Sequence, residues 1–374
     1  MIINISRNEL YLIISSMQNI TSKKGTIAIL SNILLKTKND LLIISATDLE
    51  VGIRTEIKAE IVNNGSITVP SKKFFEMLRE INDEIINISV SENKWIKITT
   101  SYGCYNIAGT DSEEYPSLPD FTDKKFSTVS SDILKEAIEK IILSIASEND
   151  NQYNLLGVLF EKEEKEEKKY LRLVSSDGHR LSFFERCFDT DVSNLITDNI
   201  ILIPKKGINE IRKLSENNDY IEICFEKKQG IFKSGKTIII IRLLNGEFPN
   251  YRNIFKSIDK KNLIEINRNN FISSMKRINL FTEDLYNSVQ FNFSKDKLIL
   301  KSQNLDIGSA TEILDIKYDG ENINIGFNGK YFIETLQVMN SSVVKAYINK
   351  EKSPCLIEGD EDPGFMSIIM PMKI

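Results

Sequence analysis

The chain has 374 residues, of which 41% are hydrophobic and 27% charged, and its formal net charge is −5 at pH 7. Such proportions belong to a folded soluble chain with room for two or three domains, each burying its own core. They exclude a membrane-spanning helical protein, because no apolar run approaches the roughly 20 residues that such a helix needs.

MIINI opens the chain as a strand. In SRNELYLIISSMQNI, Leu10, Ile13, Ile14 and Met17 fall at i, i+3, i+4 and i+7, one face of a helix that Ser6 or Asn8 can cap. NILLKTKNDLLIISATDLEVGIRTEI then reads as strand, polar turn, strand, turn, strand. GSITV leads through Pro70 into a second amphipathic helix in VPSKKFFEMLREIND. Proline suits a first helical turn, where its missing N–H would be unpaired anyway. INISVSENKWIKITTSYGCYNIAG returns to strands, and EEYPSLPDFTDKK, with its prolines and acids, reads as a linker.

The same order then recurs twice. KFSTV precedes the helix of SSDILKEAIEKIILSIA, with Leu134, Ile138, Ile141 and Ile145 as its stripe. LLGVLFEKEEKEEKKYLRLVSSDGHRLSFFER is the strand set, and its charged run EKEEKEEKK reads as a solvated hairpin tip. NIILI leads through Pro204 into the helix of IPKKGINEIRKLSEN; YIEICFEKKQGIFKSGKTIIIIRLL and the linker NGEFPNYRNIFKSIDKK follow. The third pass has LIEIN, then NRNNFISSMKRINLF with Phe271, Met275 and Ile278, then VQFNFSKDKLILKSQNLDIGSATEIL, and finally NINIG leading through Asn328 into GFNGKYFIETLQVMN. The expected fold is α+β, three tandem copies of roughly 120 residues, each with two helices and about eight strands. A repeat with few helices and many strands has sheet edges that need partners, and joining repeats supplies them.

Cys104, Cys187, Cys224 and Cys355 lie far apart with no C-x-x-C pair, which predicts reduced thiols in a cytoplasmic protein. One histidine and four scattered thiols offer no zinc cluster, and no cofactor or metal is expected. The beginning MIINISRNEL has no basic region or cleavage site of a secretory signal. SSDGHRLS holds that one histidine, His179, between Asp177 and Arg180. It suggests catalysis, yet no G-x-S-x-G elbow, P-loop or dinucleotide G-x-G-x-x-G helix accompanies it. An enzyme of unknown type and a peptide-binding scaffold without a nucleic-acid role stay open as alternatives.

VPSKKFFEML, TDLEVGI, SDGHRL, NGEFPNYRNIF and the terminal IIMPMKI stand in an order that resembles the bacterial DNA polymerase III beta subunit, the sliding clamp, over the whole chain. The resemblance implies a non-enzymatic processivity factor. It would be a head-to-tail homodimer whose six domains close into a ring, helices inside and sheets outside. Domains of 1–121, 127–252 and 255–374 are expected. The ring would encircle double-stranded DNA without sequence specificity. Its partners would be the clamp loader, the replicative polymerase catalytic subunit and other clamp-binding-motif proteins, with no membrane partner.

By the same resemblance, DNA would be contacted by Lys24, Lys72, Asn149, Tyr153 and Asn154. A partner-peptide pocket would be lined by Leu155, Ser176, Gly178, His179, Arg180, Leu181, Pro249, Ile254, Ile368, Met370 and Met372, with His179 and Arg180 as a polar rim. Methionine adapts its shape to many peptides, and the pocket would account for an otherwise odd apolar tail. The dimer seam would set Lys73, Tyr105 and Ile107 of one chain against Leu280 and Phe281 of the other. Cations recur on the helices at Lys23, Lys24, Lys72, Arg79, Lys205, Lys206, Arg212, Lys213, Lys276 and Arg277, interrupted by Glu76, Glu80, Glu136 and Glu210. Phosphate contacts without base readout suit a protein that slides.

Overall fold

The computed structural model describes all residues except 22–26, 120, 122, 148–152, 167, 188–194, 196–199, 217, 284, 285 and 374. The first pass of the pattern comprises β1 (Ile2–Ser6), α1 (Arg7–Thr21), β2 (Asn32–Lys38), β3 (Leu41–Thr47), β4 (Val51–Lys58), β5 (Glu60–Asn63), β6 (Ser66–Pro70), α2 (Ser71–Glu80), β7 (Ile85–Val90), β8 (Trp95–Thr99) and β9 (Cys104–Ala108). The second comprises β10 (Ser127–Ser130), α3 (Ser131–Ile141), β11 (Gly157–Lys165), β12 (Lys168–Ser176), β13 (Arg180–Cys187), β14 (Ile201–Pro204), α4 (Lys205–Ser215), β15 (Tyr220–Phe225), β16 (Gln229–Ser234) and β17 (Thr237–Arg242), with a short α5 (Arg252–Ser257) in the linker. The third comprises β18 (Leu263–Asn267), α6 (Arg268–Asn279), β19 (Ser288–Ser294), β20 (Lys297–Asn304), β21 (Gly308–Asp315), β22 (Ile323–Asn328), α7 (Gly329–Gln337), β23 (Val343–Tyr347), β24 (Cys355–Glu358) and β25 (Phe365–Ile369).

Local differences from the sequence reading have simple causes. Pro70 and Pro204 end their strands and flank the helices rather than sitting in the first turn. Helix α3 stops at Ile141 and tightens into a 3-10 turn at Ile142–Ser144, so Ile145 is buried from beyond the helix. The linker 245–261 contains the short α5, with Tyr251 at its N-cap, and Phe248, Tyr251 and Phe255 pack inward.

The chain forms two compact units, Met1–Ser131 with Asn209–Leu243, and Asp132–Ile208 with Leu244–Ile374. In the first, a five-stranded sheet runs β5-β1-β7-β8-β9 and an eight-stranded sheet runs β10-β15-β16-β17-β4-β3-β2-β6. In the second, an eight-stranded sheet runs β14-β11-β12-β13-β25-β24-β23-β18 and a four-stranded sheet runs β21-β20-β19-β22. Each eight-stranded sheet joins strands of two successive repeats, by β4–β17 pairing (Ile53 opposite Ile239) and β13–β25 pairing (Leu181 opposite Ile368). These antiparallel joints satisfy backbone groups that a lone repeat would leave open. The five-stranded sheet ends at β5 and β9, and the four-stranded sheet at β21 and β22.

Helices α1 and α2 cover one face of β2, β3, β4 and β6. Leu10, Ile14, Met17, Phe74 and Leu78 are fully buried there, each contributing about 1.5–3 kcal/mol. In the third repeat, Phe271, Phe291, Phe327 and Phe332 make the core, with ring centroids 4.9–6.4 Å apart. A repeated device escapes the apolar pattern. Arg7 opens α1 and donates to the Arg79 carbonyl in the last turn of α2 (2.8 Å); Arg268 opens α6 and donates to the Leu336 carbonyl in the last turn of α7 (3.0 Å). Each arginine thereby caps the neighbouring helix's free C-terminal carbonyls.

Candidate functional site

The SSDGHRLS loop joins β12 to β13, which pair from Tyr170–Cys187 to Ser176–Leu181. Gly178 has φ +85°, a conformation costly for other residues. The Asp177 Oδ1 accepts the amides of His179 (3.0 Å) and Arg180 (2.9 Å), an Asx turn. Ser176 Oγ donates to the Arg180 carbonyl at 2.8 Å and accepts the Gly178 amide at 3.1 Å. Asp177 is therefore occupied in shaping the turn.

The expected Arg180 rim is corrected by its burial. Its guanidinium donates to Asp177 (3.0 Å), to Glu334 (2.5 Å) and to the Leu143 carbonyl, and lies 4.3 Å from the Tyr331 ring centre. Arg180 is a brace beneath the loop. His179 alone of the pair has its side chain exposed.

The C-terminal tail is the neighbouring strand of this loop. Arg180 pairs with Ile369 and Leu181 with Ile368 in β25, and the Met370 amide donates to the His179 carbonyl at 2.8 Å. The Met372 amide continues to the Gly326 carbonyl at 2.9 Å. Leu181 and Ile368 are buried in one apolar cluster, against which half-buried Ile254 packs. They form a floor, whereas Met370, Pro249 and Gly178 are exposed and Met372 and Ser176 half-buried. Leu155 is buried, with its carbonyl accepting the Ala146 amide. Phe248, Tyr251, Phe255 and Met366 belong to the same cluster and were missed. The i, i+3, i+7 spacing within FPNYRNIF was the signal that could have found the aromatic three.

A buried ion network holds the wall that carries Tyr251. Arg172 donates to Glu185 Oε2 from two nitrogens (3.0 and 2.6 Å) and to the Tyr251 hydroxyl (3.1 Å), and contacts Glu163 at 2.9 Å. Its guanidinium lies over the Phe183 ring at 5.0 Å. The Tyr251 hydroxyl donates to Glu161, and Arg252 bridges Glu161 (3.3 Å) and Glu163 (3.1 Å). Burial, reinforced by Glu161, pushes the Tyr251 pKa up. Burial opposes ionisation of Glu185, but hydrogen bonds from Lys165 and Arg172 hold its carboxyl below the usual range. The EKEEKEEKK run is thus more than a solvated tip. Strand alternation turns Glu161 and Glu163 toward the network and leaves Lys162 and Glu164 exposed.

Among the expected DNA contacts, Lys24 and Asn149 lie outside the described residues, as does the side chain of Tyr153. Asn154 is exposed and donates to the Glu247 carbonyl at 2.9 Å. Lys72 is exposed on α2. Several helix cations already hold acids. Arg79 pairs with Glu80 (2.8 Å), Lys213 with Glu210 (2.6 Å), and Arg277 with Glu312 (2.7 and 2.5 Å).

At the expected seam, Lys73 is exposed and only 4.0 Å from Glu76. Tyr105 on β9 is 43% exposed, Leu280 at the end of α6 is 71% exposed, and Phe281 is half-buried. Ile107, two residues along β9 and on the same strand face as Tyr105, is buried at 9% exposure in the single chain. Exposed Ile307 and Ile313, beside and on β21, went unnoticed in the sequence.

Residues 1–119, 128–250 and 257–373 match, in turn, the N-terminal, central and C-terminal domains of the DNA polymerase III beta subunit. A Chlamydia trachomatis protein named beta sliding clamp is 29% identical over 370 residues, covering 99% of this chain and 86% of that protein. The Haemophilus influenzae beta sliding clamp is 28% identical, covering 99% of each. The crystal structure of the C. crescentus beta sliding clamp, with PEG bound to its proposed beta-motif tethering region, superposes with a TM-score of 0.93 at 25% identity over 100% of both chains.

Proposed function

The chain belongs to the DNA polymerase III beta subunit family and is a processivity-factor sliding clamp; from that premise we propose that two copies join head to tail around double-stranded DNA in the cytoplasm. The observation that carries the ring is the pair of sheet ends, β9 in the first repeat and β21 in the third. Both carry exposed apolar residues, Tyr105 and Ile313. Each internal junction between repeats pairs two such edges, so β9 of one copy against β21 of the other continues the same rule. Lys73, Leu280 and Phe281 flank this seam. Domains of 1–121, 127–252 and 255–374 fit the three repeats.

The DNA-contacting residues in this reading are Lys24, Lys72, Asn149, Tyr153 and Asn154, acting on phosphates and carrying no sequence information. The role is one of binding, with no catalytic step. The pocket takes an apolar peptide from the replicative polymerase, the clamp loader or another partner with a clamp-binding motif. Leu181 and Ile368 supply the floor, Ile254, Pro249, Met370 and Met372 the walls, and His179 the polar edge. Leu155, Ser176, Gly178 and Arg180 hold that arrangement.

The test is topological. Loaded onto nicked circular DNA, the protein stays bound, and it is lost when the circle is cut to a linear form. Equal retention on both forms would overturn the ring and leave the peptide-binding scaffold.

A further inference from the structure

A cleft of about 620 Å³ lies on the face of β2, β3 and β4 opposite α1 and α2, roofed by the linker strap from Ser112 to Leu118. The strap is fixed at two points. The Tyr115 hydroxyl donates to the Asn32 carbonyl and accepts the Thr47 amide, both at 3.1 Å, and burial pushes its pKa up to about 12. Leu118 sits in a notch that only glycine leaves open, since a Cβ on Gly52 would stand 2.6 Å from its Cδ2. The cleft is therefore a built feature of the first unit. It shares no residue with the peptide pocket or the proposed DNA contacts.

Its floor is apolar, from Leu34 and Ile43, and its rim is cationic. Lys36 and Lys38 alternate outward along β2, both exposed, with no acid at ion-pair distance among the described residues. Arg54 pairs with Glu56 at 2.7 Å through one terminal nitrogen, yet its Nε is buried without any hydrogen-bond partner. A buried orphan donor is costly unless an acceptor reaches it. One carboxylate, Glu113, faces the cleft from the roof.

We propose that this cleft docks an acidic peptide segment with aliphatic side chains, contributed by a partner protein. Carboxylates answer the two lysines, and an aliphatic side chain fills the floor. Single-stranded nucleic acid fits less well. Its bases need an exposed aromatic face to stack on, and the aromatic residue lining the cleft, Tyr115, is buried with its hydroxyl engaged.

The experiment uses the full chain and fluorescence anisotropy with three labelled probes. These are a short peptide of aspartate and glutamate around two leucines, the same peptide with lysine in place of the acids, and a thymidine oligonucleotide. The acidic peptide should bind saturably, and Lys36→Glu with Lys38→Glu should weaken it at least about tenfold, because the repulsion reverses an attraction at both positions. Both lysines are solvent-exposed, so the variant keeps its fold. Glu113→Gln should strengthen binding by removing the carboxylate that faces the cleft from the roof. Removal of residues 370–374 should leave this binding unchanged, which separates the cleft from the peptide pocket. Absence of saturable binding overturns the proposal. So does equal affinity of the double variant, equal affinity for the lysine peptide, or tighter binding of the oligonucleotide.

Discussion

The amide of Met370 donates to the carbonyl of His179 at 2.8 Å, so the last residues of the chain continue the β13–β25 pairing up to the SSDGHRLS loop. Nearly 200 residues of sequence separate the two, and one backbone bond makes them a single surface.

That bond locates a clean truncation. Ile368 and Ile369 are core residues of β25, so a deletion must start after them. Removing 370–374 should weaken binding of a polymerase-derived peptide severely, since Met370 and Met372 each offer about 1.5–3 kcal/mol of apolar burial. His179→Ala should cost about 1 kcal/mol, one rim hydrogen bond. Calorimetry on both variants and the parent measures the difference. Undiminished affinity after truncation would place the pocket elsewhere.

Arg172→Met should be destabilising although it changes no pocket residue. It removes the buried guanidinium from Glu163 and Glu185 and leaves them Arg252 and Lys165 as cations, a loss of about 1.5–3 kcal/mol. Tyr251→Phe removes only the hydroxyl that ties α5 to this network, about 1 kcal/mol in stability. In the phenylalanine variant, peptide affinity should fall more than thermal stability does, as the Tyr251 wall loosens. Denaturation midpoints and peptide titrations on the same samples check this, and a variant with parental affinity would show that the wall is held by packing alone.

Lys140 and Asp362 form an almost fully buried pair at 2.8 Å, with Asp362 also accepting the Asn340 and Ser341 amides. Burial resists ionisation of Asp362, but Lys140, the Ser341 hydroxyl and those amides prevail and hold its pKa below the usual carboxylate range. The folded chain thus keeps this carboxylate ionised at pH values where the unfolded chain protonates it. The resulting stability is complete above about pH 5 and declines progressively below about pH 4. Asp362→Asn should lower stability at neutral pH and flatten the acid limb of a stability–pH profile. A parallel profile for the variant would deny the pair its role.

The seam has its own readout. Leu280→Ala combined with Ile313→Asp should give a folded monomer, because Leu280 and Ile313 are mostly exposed in the single chain and contribute little to its core. Sedimentation distinguishes the states, and a persisting dimer would move the interface off β21.

The sequence alone determined the repeat. Apolar spacing of 3.6 and 2.0 is a local property, so six of the helices and the order of strands were legible from LYLIISSM through FIETLQVM. The family was legible too, because SDGHRL, NGEFPNYRNIF and IIMPMKI keep their order along the chain. Tertiary structure decided where charges spend their interactions. Arg180 read as a rim cation until distant Glu334 enclosed it, and Arg172, which no motif singled out, is the buried cation that Glu163 and Glu185 surround. Glu161 and Glu163 read as solvated until Arg172 and Arg252 met them. Hydrophobic periodicity reports which face is buried; it carries no information about which buried ion finds which partner, since that pairing is made across sheets by residues far apart in the chain.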